Sequence, residues 1–149
     1  MKLTMKHFFI LSLFSVAFSC QFPKEYNSYE EAKEQCSKIK SQKEITCYFK
    51  GFEMNAFEKL TIEERNLNNE ILKKITNFKV IYYQESTKEA TVLVKEDIYF
   101  NRKYVFALEK QHFELSNLKL EPKATFTMTS KNFTCLLNNS VLNKKIRRN

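Results

Sequence analysis

The chain of 149 residues holds a single glycine, Gly51, and two prolines, Pro23 and Pro122. That scarcity limits what the chain can build. Phosphate-cradling loops, dinucleotide fingerprints and nucleophile elbows need glycines where the backbone turns tightly or approaches a ligand. None of them fits this sequence. The same scarcity argues against collagen-like repeats and low-complexity disorder. No internal repeat is visible. The apolar content is instead aromatic: 14 Phe and seven Tyr, with no Trp.

The first twenty residues, MKLTMKHFFILSLFSVAFSC, read as an export signal. Lys2 and Lys6 form a positive n-region, and Phe8 to Phe18 is an apolar stretch too short to span a membrane. Ala17 and Ser19 are small residues at the positions that signal peptidase needs for a cut before Cys20. Ala17, Phe18, Ser19 and Cys20 also resemble the lipobox of bacterial lipoprotein signals, with Phe18 departing from the usual small residue. That resemblance implies acylation of Cys20 and a lipid-anchored protein of the bacterial cell envelope. The other reading of the same bond is a soluble secreted protein in which Cys20 is an ordinary residue.

The chain then divides into a signal at 1–19, a tether at 20–27, one domain at 28–142 and a basic tail at 143–149. The net charge of +8 falls by two when Lys2 and Lys6 leave with the signal. Four of the remaining basic residues, Lys144, Lys145, Arg147 and Arg148, sit in the tail. They read as a solvated end or as a contact to anionic lipid, where each basic residue contributes about 1 kcal/mol. A basic face interleaved with aromatics is missing, so nucleic acid is not an expected partner.

Three S/T-x-x-E phrases, Ser28–Glu31, Ser41–Glu44 and Thr61–Glu64, have the form of helix capping boxes. They predict helices near 29–40, 42–59 and 62–77. Ile45, Phe49, Phe52, Ala56 and Leu60 supply an apolar stripe for the second, and Leu67, Ile71 and Ile75 for the third. From residue 78 the period becomes two. Val80 and Tyr82 alternate with Lys79, Ile81 and Tyr83, and strands are expected at 90–100, 103–110, 112–120 and 124–129, with a tight turn at Asn101 and Arg102. Leu136, Leu137, Val141 and Leu142 suggest a short closing element. The expected fold is α+β: about three N-terminal helices on one face of a four- to five-stranded antiparallel meander. The phrase FALEKQHFELSN, with Phe113, Leu115 and Asn117, resembles the closing strands of the nuclear-transport-factor-2-like (cystatin-like) superfamily. That resemblance implies a sheet curved around a conical pocket, and no activity.

Cys36 and Cys47 flank the turn predicted between the first two helices, so a Cys36–Cys47 disulfide is expected, closing a loop of about a dozen residues worth around 3 kcal/mol. Cys135 is then left alone if Cys20 is acylated, and pairs with Cys20 if it is not. No CxxC or Cys/His cluster exists, so no metal is expected, and no cofactor. His112 is the one histidine outside the signal and has no nucleophile spaced to meet it. Glu96 shares strand parity with Val92, Val94, Ile98 and Phe100 and would line a pocket if it points to the apolar side, together with Tyr82, Tyr99, Tyr104 and Phe106. Asn132 and Asn138 stand in N-x-S/T sequons that matter only under glycosylating export. The reading is a non-enzymatic envelope lipoprotein that binds an unknown protein or small molecule. The alternative is a secreted, disulfide-containing effector or inhibitor.

Overall fold

A computed structural model describes residues 24–126, 130–137 and 146–147, the last pair by backbone alone. The architecture is mostly β, which corrects the expected α+β fold with three helices on a meander. Of those helices only the first forms. Ser28 caps helix α1 (Tyr29–Lys38), its hydroxyl accepting from the Glu31 amide at 3.2 Å. Ala32 and Cys36, four residues apart, are its buried positions.

The second and third predicted helices are strands. After β1 (Glu25–Tyr26) and α1, the chain forms β2 (Ser41–Gln42), β3 (Ile45–Lys50), a 3-10 turn of helix at Met54–Lys59, β4 (Thr61–Arg65) and β5 (Ile71–Ile75). The physical reason lies in the spacing. Ile45, Cys47 and Phe49 are buried while Tyr48 is exposed, so the i, i+4 pair of an expected helical stripe is equally one face of a strand. Leu67 and Ile71 of the third stripe are exposed, and only Ile75 is buried.

The remaining strands are β6 (Phe78–Gln84), β7 (Glu89–Val94), β8 (Ile98–Tyr99), β9 (Lys103–Leu108), β10 (Gln111–Leu115), β11 (Leu120–Phe126), β12 (Lys131–Leu137) and β13 (Ile146–Arg147). The expected strands from residue 78 to 126 are thus present, with 90–100 and 112–120 each broken in two. Thr127–Thr129, Val141 and Leu142 lie outside the described residues.

Two four-stranded sheets carry the core. One has the order β10-β9-β4-β5, the other β13-β3-β7-β6. All their pairings are antiparallel except that of β13 beside β3, so two residues of the segment read as a basic tail extend a sheet. The inner faces meet through aromatic rings: Phe49 of β3 lies 6.1 Å from Phe106 of β9 and 6.2 Å from Phe113 of β10. Val92, Val94, Ile98, Tyr104, Phe106 and Leu108 are fully buried there. A third sheet, β1-β12-β11, packs against α1. Tyr26 of β1 is buried, so part of the expected tether is a strand.

With few glycines available, turns use other residues. Asn69, Lys88, Glu109 and Asn117 all take positive φ, between 50° and 69°. For a non-glycine residue that conformation is disfavoured by about 1–2 kcal/mol, which asparagine relieves best.

Candidate functional site

The sheet β13-β3-β7-β6 has one face in the core and one in solvent. Register fixes the solvent face. Lys50, Glu89 and Gln84 form one row across β3, β7 and β6; Tyr48, Thr91 and Tyr82 form the next; Thr46, Leu93 and Lys79 form the third. Tyr48 and Tyr82 are 48% and 52% exposed, large apolar rings left in water on either side of a threonine. Between them lies an open cleft of about 240 Å3, lined by both tyrosines, Phe49, Glu89, Ala90 and Thr91.

The placement of Tyr82 depends on a bulge. The β6–β7 register shifts between Val80 and Tyr82, leaving Ile81 unpaired. In a regular strand Val80 and Tyr82 would share a face. The extra residue changes the phase, so Val80 and Tyr83 turn inward and Tyr82 turns outward. Tyr83 then packs 6.5 Å from the ring of Phe57, and its hydroxyl donates to the Phe52 carbonyl at 3.2 Å. Burial and the nearby Glu85 carboxylate hold the Tyr83 phenol above its ordinary range. The Tyr82 hydroxyl donates to Gln84 Oε1 at 3.1 Å, which ties the ring to the polar row. In that row Lys50 Nζ lies 3.1 Å from Glu89 Oε1.

The residues expected to form one pocket are dispersed. Tyr104 and Phe106 are core residues with no exposed surface. Tyr104 is held by the Tyr99 backbone, and burial pushes its phenol well above the usual range. Tyr99 is 43% exposed on the two-stranded β2-β8 ribbon. Glu96 lies beyond the end of β7, paired with Lys73 Nζ at 2.6 Å, and that bond holds the Lys73 ammonium above its usual range. Of the set Tyr82 lines this cleft, and its neighbour across the sheet, Tyr48, was hidden by the helix assignment. The alternation Ile45, Cys47, Phe49 against Thr46, Tyr48, Lys50 is the signal that could have found it.

His112 lines a different open depression of about 530 Å3, with Arg65, Asn69, Phe113 and Glu114. Its strand is separated from that of Lys73, the partner of Glu96, by three strand spacings, about 14 Å. His112 and Glu96 therefore share no site. Among the described residues no group of three His, Cys, Asp or Glu is placed to hold a metal ion.

The expected Cys36–Cys47 bridge is corrected. Cys36 bonds Cys135, with Cα atoms 5.5 Å apart and 99 residues between them in sequence. Helix α1 turns Cys36 toward the third sheet, while Cys47 points into the core from β3 as a free thiol. Burial pushes that thiol up to about 12. Asn132 sits on β12 with its amide donating to Glu25 Oε2 at 2.6 Å; Asn138 and Cys20 lie outside the described residues. No described helix is long and apolar enough to cross a membrane. No protein-family model matches the chain, and neither a curated protein nor a solved structure matches it significantly.

Proposed function

We propose that the protein is an exported binding module, without catalysis, held at a bacterial envelope membrane by lipid on Cys20. The observation that carries the reading is the disposition of the other cysteines. Cys135 is taken by Cys36, and Cys47 is enclosed in the core. Cys20 is then left with no disulfide partner in its own chain. A lone thiol is an awkward residue in an oxidising compartment, whereas acylation, which the lipobox-like Ala17–Cys20 invites, disposes of it.

The tether would be short. Cys20 stands five residues before Glu25, the first residue of β1, a span of at most about 18 Å. A lipid on Cys20 therefore keeps the domain close to the bilayer. Exported binding without chemistry suits an exposed aromatic cleft, and His112 and Glu96, the two groups that a pocket enzyme would use, stand apart.

Intact mass spectrometry of the membrane-extracted protein tests the anchor. The expected mass exceeds that of the chain beginning at Cys20 by a diacylglycerol and any further acyl chain. An unmodified mass overturns it and favours the secreted alternative, which the Cys36–Cys135 bridge also suits.

A further inference from the structure

We propose that the free edge of β10 pairs with β10 of a second copy, joining two chains through one continuous antiparallel sheet. The inference goes beyond the binding-module reading and depends on neither the lipid nor the Tyr48–Tyr82 cleft.

A sheet edge invites foreign strands, and proteins blunt it with lysine, proline, a bulge or short length. Most of the described edges are blunted in this way. β5 carries Lys73 and Lys74, β11 carries Pro122 and Lys123, and β6 carries Lys79 and the bulge at Ile81. β1, β2, β8 and β13 are two residues long. β10 (Gln111–Leu115) is five residues long and has none of these features. It ends the sheet β10-β9-β4-β5 and pairs with β9 alone.

The backbone sets the register. Leu108 and Gln111 close a two-residue turn and so exchange both their hydrogen bonds. Bonded and non-bonded positions alternate along an antiparallel pair, so Phe113 and Leu115 also bond to β9. His112 and Glu114 then point their N–H and C=O groups away from β9, and among the described residues no other backbone group takes these four up. Both side chains are exposed. Antiparallel pairing about a two-fold axis at Phe113 places His112 of each copy opposite Glu114 of the other, which satisfies all four groups of each chain. A slip of one residue sets them against positions already bonded to β9. A slip of two sets Glu114 against Glu114 or His112 against His112.

The side chains select the same partner. An imidazole N–H of His112 donates to the Glu114 carboxylate across the pair, twice by symmetry. On the inner face Phe113 meets Phe113 at the axis, in the close, non-hydrogen-bonded position. That ring is half-buried: Phe49 and Phe52 lie 6.2 and 6.0 Å from it, Phe106 stands beside it on β9, and no strand flanks its other side. The β10 sequence is therefore its own complement. A β5 pair would instead bring Lys73 and Lys74 of two copies together, which like charge opposes.

One strand from each chain makes a small interface, so a dimer with Kd of about 10 μM to 1 mM is expected.

Sedimentation equilibrium of the full chain, in density-matched detergent with micelles in excess over protein, should show a monomer–dimer equilibrium in that range. Glu114→Lys should weaken it at least tenfold, and combining His112→Glu with Glu114→Lys should restore it. Oxidation of a mixture of His112→Cys and Glu114→Cys chains should give more cross-linked dimer than either variant or the wild type gives alone, because the opposed Cα atoms stand about 5.5 Å apart, within disulfide reach. Unchanged amide-resonance dispersion confirms that each variant is folded, and the cross-link decides if Glu114→Lys is not. The proposal is overturned if the chain stays monomeric up to about 1 mM, if Glu114→Lys dimerises as the wild type does, or if the mixed cross-link does not exceed those of the separate chains. A free edge that accepts only a strand of another protein gives the first of these results. Acylation of Cys20 is common to every chain compared, so the two readings fail separately.

Discussion

The phenol oxygen of Tyr104 lies 2.7 Å from the backbone nitrogen of Tyr99 and accepts its hydrogen bond. Its own proton faces the Tyr99 carbonyl at 3.4 Å. The ring below is fully buried, so one side chain anchors the Phe100–Arg102 turn to the core. Tyr104→Phe keeps the ring and leaves the Tyr99 amide without its acceptor. The expected loss is about 1–3 kcal/mol. It is read as a lower urea midpoint at unchanged m-value; a midpoint that does not move counts against the anchor.

The cysteine arrangement predicts a thiol count. Under denaturing conditions without reductant, an acylated protein should show one reactive thiol, that of Cys47. A protein retaining an unmodified Cys20 should show two. Zero is incompatible with a buried, unpaired Cys47.

Reduction should weaken the fold strongly. The bridge spans 99 residues, and closing a loop near that length restricts the unfolded chain by roughly 4–5 kcal/mol on the loop-entropy model. In urea titrations the stability lost on adding reductant and that lost in the double variant Cys36→Ala, Cys135→Ala should agree with each other. A shift under about 1 kcal/mol in both would mean that the bridge does not form.

Cys47 predicts an alkaline limb of instability. Burial keeps its thiol protonated in the fold up to about 12, whereas the unfolded thiol ionises near 8.5. Above roughly pH 8.5 the unfolded chain therefore binds fewer protons than the folded one, and stability falls with rising pH by about 1.4 kcal/mol per unit. The Lys73 and Lys88 ammonium groups, held charged by Glu96 and by Glu53 and Glu85, also favour the fold less as pH rises. They are common to wild type and Cys47→Ala, so the difference between the two isolates the thiol. Parallel curves between pH 8.5 and 10.5 would contradict the burial of Cys47.

Phe49 is the centre of the aromatic core, with Phe52, Phe57, Phe106 and Phe113 within 5.6–6.3 Å of its ring. Phe49→Ala should cost about 3–5 kcal/mol by leaving a cavity that both sheets border. Thermal unfolding shows whether the variant retains a cooperative transition.

The second half of the fold was legible because its alternation is strict: Ala90, Val92 and Val94 are buried and Thr91 and Leu93 are not. The first half was not, for an arithmetic reason. A spacing of four residues is both a helical turn and two strand repeats, so Ile45–Phe49 and Ile71–Ile75 satisfy either period. Capping boxes do not resolve the tie. The Ser28 phrase caps a real helix, while Thr61 and Glu64 open a strand in which the carboxylate is buried, with Arg102 3.6 Å away. Tyr82 of the cleft was named from sequence, and Tyr48 was lost with the helix that was expected to contain it. The facing of Tyr82 was out of reach, because a single unpaired residue, Ile81, decides it. The disulfide failed for the same reason: Cys36 and Cys47 face each other only if both lie on helices.

The Cys36–Cys135 bond has a topological consequence. It closes nearly the whole domain into a covalent ring, and the chain outside that ring is the approach to Cys20 on one side and the basic end on the other. A protease that cuts one exposed loop between Ser37 and Thr134 opens the ring without releasing a fragment. The two pieces stay joined through sulfur, and whatever holds the N-terminal piece still holds both. A single nick is then a change of connectivity and not a loss of the molecule.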